Sequence, residues 1–165
     1  MDYSSITTAN STDYDQLIKL WEASVRASHN FLSNVDISHY KLLIYDYYFD
    51  GLNLYCVRAQ AEILGFIGLK DDYIQMLFVA PKSMQKGIGK ELMNFAMDKH
   101  RARKVDVNEQ NTAAVRFYEK MGFSVIERSA MDAAGKAYPV LSMELSPKVG
   151  KSESPFPSMC VSYRY

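Results

Sequence analysis

Apolar residues change their spacing along this chain, and the changes predict its elements. Leu17, Leu20, Trp21 and Val25 recur at helical spacing behind Thr12, which suits an N-cap, with Asp13 and Asp15 in the first turn. A short strand over 4–8 precedes that helix. The irregular link Ser28-His29-Asn30-Phe31-Leu32-Ser33 leads to a second helix over 37–49, carrying Tyr40, Leu43, Ile44, Tyr47 and Tyr48 and ended by Gly51.

From Leu52 the pattern becomes apolar runs broken by polar turns. Residues 54–57, 63–69 and 73–79 read as an antiparallel meander. A helix from about Ile88 to His100, with Leu92, Phe95 and Ala96 on one face, and a short strand over 105–107 then imply a parallel crossover. Asn111 is a suitable N-cap for another helix, stopped at Met121-Gly122-Phe123, and strands over 124–128 and 137–145 join through Asp132 to Lys136. The fold class expected is α/β (α+β), a mixed sheet in one domain over 1–145. After it comes a proline- and serine-rich tail over 146–165, whose end, Met159 to Tyr165, is expected to dock on its own domain, on a neighbouring subunit or on a crystal mate.

The stretch LFVAPKSMQKGIGKEL, from Leu77 to Leu92, holds the first candidate chemistry. A buried strand, a turn at Pro81, a basic glycine-containing loop and a helix start follow one another there. Unpaired N–H groups at a helix start attract anions, so Lys86-Gly87-Ile88-Gly89-Lys90 could hold a phosphate or pyrophosphate. Two familiar phosphate loops fail on spacing. A dinucleotide fingerprint needs a third glycine where Leu92 stands, and a Walker loop needs Ser or Thr where Glu91 stands.

Composition narrows the function classes. The chain has 165 residues, 48% of them hydrophobic, with nineteen basic and nineteen acidic side chains. That length suits one buried core. Zero formal charge argues against a general nucleic-acid binder and sets the basic loop apart from its background. No run approaches a membrane span and the N-terminus lacks a signal-peptide pattern, so a cytoplasmic protein without a membrane partner is expected. Cys56 and Cys160 have no metal-ligand spacing, and no metal is expected.

Together these parts resemble the GNAT superfamily of acetyl-CoA-dependent N-acetyltransferases. The resemblance rests on the strand, loop and helix above and on NEQNTAAVRFYEKMGF, from Asn108 to Phe123. Trp21, Ser28 to Leu32, and Gly135-Lys136 with Tyr138-Pro139 look like a bacterial, YjaB-like subgroup of small GNAT proteins. The resemblance implies acetyl-CoA as co-substrate, with Leu77, Phe78 and Val79 along the pantetheine arm and Gln85, Lys86, Gly87, Ile88, Gly89 and Lys90 around the pyrophosphate. The loop departs from the family pattern at its start. Met84 stands where the family has Gln or Arg, and Gln85 where glycine is frequent, so backbone amides are expected to carry the binding.

Asn111, Val115 and Tyr118 share one helix face. The resemblance puts that face on the cofactor, Asn111 near the pantetheine and Tyr118 near the sulfur, where a phenol can protonate a departing thiolate. Candidates for the base are His29, His39, Asp71, Asp72 and Glu109, of which His29 has the most suitable ordinary pKa. Tyr45, Tyr47, Tyr48 and Phe49 could line an aromatic acceptor pocket but read first as core and rim, and Lys99 to Lys104 could reach the adenosine 3′-phosphate or a partner but read first as a solvated helix end. The expected reaction is direct acetyl transfer to a primary amine, on a small molecule or a peptide, in a ternary complex. A homodimer follows from family habit. A rival reading is an acyl-CoA sensor without efficient catalysis, because no strong base declares itself.

Overall fold

The computed structural model describes residues 5–146. Seven strands form one sheet in the order β1-β2-β3-β4-β5-β7-β6. They are β1 (Ile6–Thr8), β2 (Asn53–Ala59), β3 (Glu62–Lys70), β4 (Tyr73–Val79), β5 (Lys104–Asn108), β6 (Phe123–Ser129) and β7 (Val140–Leu145). The meander β2-β3-β4 is antiparallel, β4 and β5 run parallel, and β7 pairs antiparallel with both β5 and β6. The mixed sheet and its parallel crossover are therefore as expected. Residues 147–165, with the expected docking of the tail, lie outside the described residues.

Helices cover both faces. Helices α1 (Tyr14–Ser28) and α2 (Asn34–Leu43) pack on one side, where Leu17, Trp21, Val25, Phe49, Phe66 and Met76 share a core. Helices α3 (Ile88–His100) and α4 (Thr112–Lys120) pack on the other, around Ile67, Leu69, Leu92, Met93, Ala96 and Met143. Each large apolar side chain fully buried this way contributes about 1.5–3 kcal/mol. Strands β3 and β4 lie in the middle, so they are apolar on both faces and read as continuous runs.

Some element ends differ from expectation. Asn10, not Thr12, caps the chain's first turn, because its side chain accepts the Thr12 N–H at 3.0 Å while Asp13 answers the Asn10 N–H at 3.0 Å. Ser33 caps α2, which starts three residues before Ile37, and the helical path continues as a wide turn over Ile44–Tyr48 and a tight one over Phe49–Gly51. Gly51 ends it without positive φ. The last strand starts at Val140 rather than Ala137, since residues 137–139 belong to the preceding loop. Asn111 caps α4 through the Ala114 N–H at 3.2 Å, and Gly122 at φ 95° ends it, both as expected.

One irregularity positions the site. Gly68 pairs with Met76 and Leu69 with Ile74, so Gln75 is an extra residue on β4, a β-bulge. A bulge bends its strand and breaks pairing. The β4–β5 ladder holds only at Tyr73 with Lys104 and Ile74 with Val105, and it stops at the bulge. Below that point the pair is stitched by Lys104–Asp72 at 3.0 Å and by the Tyr73 hydroxyl donating to Asp106 at 2.7 Å. Above it β5 follows β7, with which it pairs through Asn108, and β4 bends away. A V-shaped gap opens between them.

Candidate active site

The loop after β4 is built to leave amides free. Ala80 N–H donates to Leu64 O at 2.8 Å, a short turn over Pro81–Ser83 follows, and Gln85 (φ 61°) and Gly87 (φ 87°) turn the chain into α3. Gly87 holds a conformation that costs an L side chain energy. Glu91 N–H makes the first helical bond, to Gly87 O at 2.9 Å, so the amides of Ile88, Gly89 and Lys90 precede the helical ladder. Packing behind the loop is close. A Cβ on Gly65 of β3 would stand 2.8 Å from Ile88 Cγ2, so the missing side chain lets the start of α3 sit directly on the sheet.

In front of this loop lies a cavity of about 460 Å³. Leu77, Val79, Gln85, Gly87, Gly89 and Lys90 form one wall, Phe117 and Tyr118 of α4 with its cap Asn111 a second, and Ser24 and Ser28 of α1 with His29 just beyond it a third. Lys82 is paired with Glu62 at 2.5 Å, whereas no ion pair engages Lys86 or Lys90 among the described residues. A smaller space of about 100 Å³ fills the gap between β4 and β5. It shares His29, Leu77, Asn111 and Tyr118 with the cavity. On its other side it shares Gln75, Met76 and Phe78 with a third cavity of about 570 Å³, walled by Trp21, Tyr40, Tyr47 and Tyr48.

Across this gap runs a chain of hydrogen bonds that fixes one tautomer. Ser28 Oγ donates to Ser24 O at 2.7 Å and stands 2.7 Å from His29 Nδ1, so it accepts the Nδ1 proton. Asn111 Oδ1 takes the Ala114 N–H, which turns its Nδ2 toward His29 Nε2 at 3.3 Å. Nε2 therefore carries the lone pair and faces α4. Burial lowers the His29 pKa from its ordinary value, which keeps the ring neutral at neutral pH.

Tyr118 is buried against Phe117 and Phe123, and burial pushes its phenol far above the ordinary value. No side-chain hydrogen bond to its hydroxyl exists among the described residues, yet no buried polar side-chain atom there lacks a partner. The hydroxyl is thus the tip of a buried ring that reaches the open gap, protonated and uncommitted.

Three comparisons place this arrangement among known proteins. Residues 38–145 match the acetyltransferase (GNAT) domain family. The chain belongs to the GNAT acetyltransferase family. It is 40% identical to peptidyl-lysine N-acetyltransferase YjaB of Salmonella typhimurium, over 78% of this chain and 89% of that one. The solution structure of apo YjaB from Escherichia coli superposes with a TM-score of 0.79 at 32% identity, over 86% of this chain and 96% of that one. The PaiA N-acetyltransferase of Thermoplasma acidophilum, solved in complex with coenzyme A, shares the fold with a TM-score of 0.66 at 20% identity, over 84% and 97% of the two chains. The protein is an acetyl-CoA-dependent N-acetyltransferase, and among its described residues no helix is long and apolar enough to cross a membrane.

The cleft fits that co-substrate. Beyond Ile74 the outer edge of β4 has no strand partner among the described residues, and Gly87 and Gly89 at the start of α3 line the same cavity as Lys90, which has no ion pair among the described residues. Of the residues expected at the cofactor, Leu77, Val79, Gln85, Gly87, Gly89, Lys90, Asn111 and Tyr118 line this cavity. Phe78 faces the gap and the aromatic cavity, Ile88 is buried against the sheet, and Lys86 is exposed outside the cavity lining.

Among the expected bases, His29 alone lines the gap. Glu109 pairs with Arg128 at 2.7 Å, Asp72 pairs with Lys104, Asp71 is exposed, and exposed His39 lies against Tyr40. Sequence reasoning missed Ser24, Ser28, Gln75 and Phe117. Two serines four apart in an otherwise apolar helical stripe were the available sign for the first pair. The bulge at Gln75 left no sign, since it exists only in the pairing of two strands.

Proposed function

We propose that this acetyltransferase moves acetyl from acetyl-CoA to the ε-amine of a peptide lysine by direct attack in a ternary complex. The observation that carries the reading is the gap between β4 and β5, where His29, Asn111 and Tyr118 meet a space open to a cofactor-sized cavity on one side and an aromatic cavity on the other. Two relatives that align with most of this chain are peptidyl-lysine acetyltransferases by name, which supports lysine as the acceptor.

In this reading His29 Nε2 accepts the proton that the lysine ammonium must lose before attack. The amine nitrogen then bonds to the thioester carbonyl carbon, the carbon–sulfur bond breaks, and Tyr118 gives its proton to the leaving thiolate. Tyr118 regains a proton from solvent. The amides at the start of α3 and Lys90 would hold the pyrophosphate, and the free edge of β4 at Leu77 and Val79 would hold the pantetheine arm and polarise the thioester.

His29 also sets the expected pH dependence. Its pKa lies below the ordinary 6.5 because of burial, so the neutral base predominates at neutral pH and is lost as pH falls through the lowered pKa. Activity on lysine peptides should fall on the acid side with an apparent pKa under 6.5. The deciding experiment follows release of free CoA from acetyl-CoA across lysine peptides and small amines, with Tyr118→Phe alongside. Peptide-dependent release that the variant loses supports the reading. Tight acetyl-CoA binding with no acceptor-dependent release would instead point to a sensor.

A further inference from the structure

The aromatic cavity carries a charge pattern that the transfer reaction does not explain. Trp21, Tyr40, Tyr47, Tyr48 and Phe78 supply its walls, and among the described residues Lys70 is the sole charged side chain lining it, with no carboxylate beside it in that lining. The carboxylates of the adjoining roof are already engaged. Asp132 accepts the Tyr40 hydroxyl and the N–H groups of Ala134 and Lys136 at 3.0 and 2.8 Å, and Asp36 accepts from Lys136 and Tyr138 at 2.5 Å each. Lys70, exposed at the end of β3, has no ion pair among the described residues, while nearby Asp72 is held by Lys104.

We propose that Lys70 selects acceptor peptides that carry an acidic residue beside the lysine to be acetylated. The proposal rests on the peptidyl-lysine reading above. Aromatic faces suit the alkyl stem of one lysine and its ammonium before deprotonation. A polyamine, or any amine with a second positive charge, would leave that charge facing Lys70 without a carboxylate to replace water. A carboxylate next to the acceptor lysine does the reverse, meeting Lys70, the one charged side chain that the described residues bring to the cavity lining.

The test uses four terminally blocked peptides with one lysine each, flanked by Glu, by Gln, by Arg, or by Glu on one side and Arg on the other. CoA release is measured with the wild-type protein and with Lys70→Glu. Wild type should favour the Glu peptide over the Arg peptide by about three- to fivefold in kcat/KM, through KM, as expected for an exposed ion pair. Lys70→Glu should invert the order, and the preference should shrink in both proteins at high salt. An unchanged Glu-to-Arg ratio in the variant, or equal use of all peptides by wild type, would overturn charge selection while leaving the lysine reading intact. No transfer to any peptide, with acetyl-CoA still bound and a small amine acetylated, would overturn both.

Discussion

The two sides of the active gap are held by different forces. On the cofactor side, β4, the loop after it and α3 rest on apolar packing, with Leu92, Met93 and Ala96 wholly buried and Gly65 admitting Ile88 at close range. On the acceptor side, α2 and the loop between β6 and β7 are joined mostly by polar groups. Tyr40 reaches Asp132, and Asp36 gathers Lys136, Tyr138 and Ser33. Apolar packing does not depend on pH and resists salt, whereas exposed ion pairs are weak and screened. One side is a fixed platform for a constant co-substrate; the other can change its contacts without unfolding the sheet.

The largest expected effect lies where the two sides meet. Tyr118→Phe should lower kcat by about a hundredfold or more while leaving acetyl-CoA affinity within about twofold, since only a proton donor is removed. Titration calorimetry beside CoA release separates these quantities, and undiminished turnover would remove Tyr118 from the mechanism. On the platform, Gly65→Ala should cost about 1–3 kcal/mol, because its Cβ would press on Ile88 and the start of α3 must move off the sheet. A urea midpoint equal to wild type would show that Ile88 can yield.

A smaller effect should come from the chain that orients His29. Ser28→Ala removes the acceptor of the Nδ1 proton, a loss of about 0.5–1.5 kcal/mol, or roughly two- to tenfold in kcat/KM. Ser28→Thr should restore it. Nitrogen chemical shifts of the imidazole should report a single tautomer in wild type and a mixture in the alanine variant. One tautomer in both would mean that Asn111 alone orients the ring.

The smallest effect belongs to the roof. Asp36→Asn should raise the KM for peptide by about twofold and spare acetyl-CoA binding, because it weakens a half-buried contact at the cavity roof without touching the cofactor side. Hydrogen bonds from Lys136, Tyr138 and Ser33 hold the Asp36 pKa down to about 2, from an ordinary 3.8. A depressed carboxylate stabilises the fold above its unfolded pKa, so this contact is complete above about pH 4 and is lost as pH falls toward 2. Amide shifts around Lys136 should follow that titration. The same titration in the asparagine variant would assign it to another group.

Much of this molecule is written in local pattern. Spacing alone marked the helices carrying Trp21 and Leu92, the β2-β3-β4 meander, the Asn111 cap and the glycine loop, because each depends on neighbours a few residues away. Family resemblance then singled out Tyr118 and His29, residues whose types allow the chemistry but whose placement a pattern cannot state. Three features needed the folded chain. The bulge at Gln75 arises from how β4 pairs with β3; the orientation of His29 depends on Asn111, far along the sequence; and the roof joins Asp36 to Lys136 and Tyr138. Hydrophobic periodicity records which residues turn inward within an element. It carries no record of which polar side chains from distant elements will find one another across a gap, and here that is what decides the site.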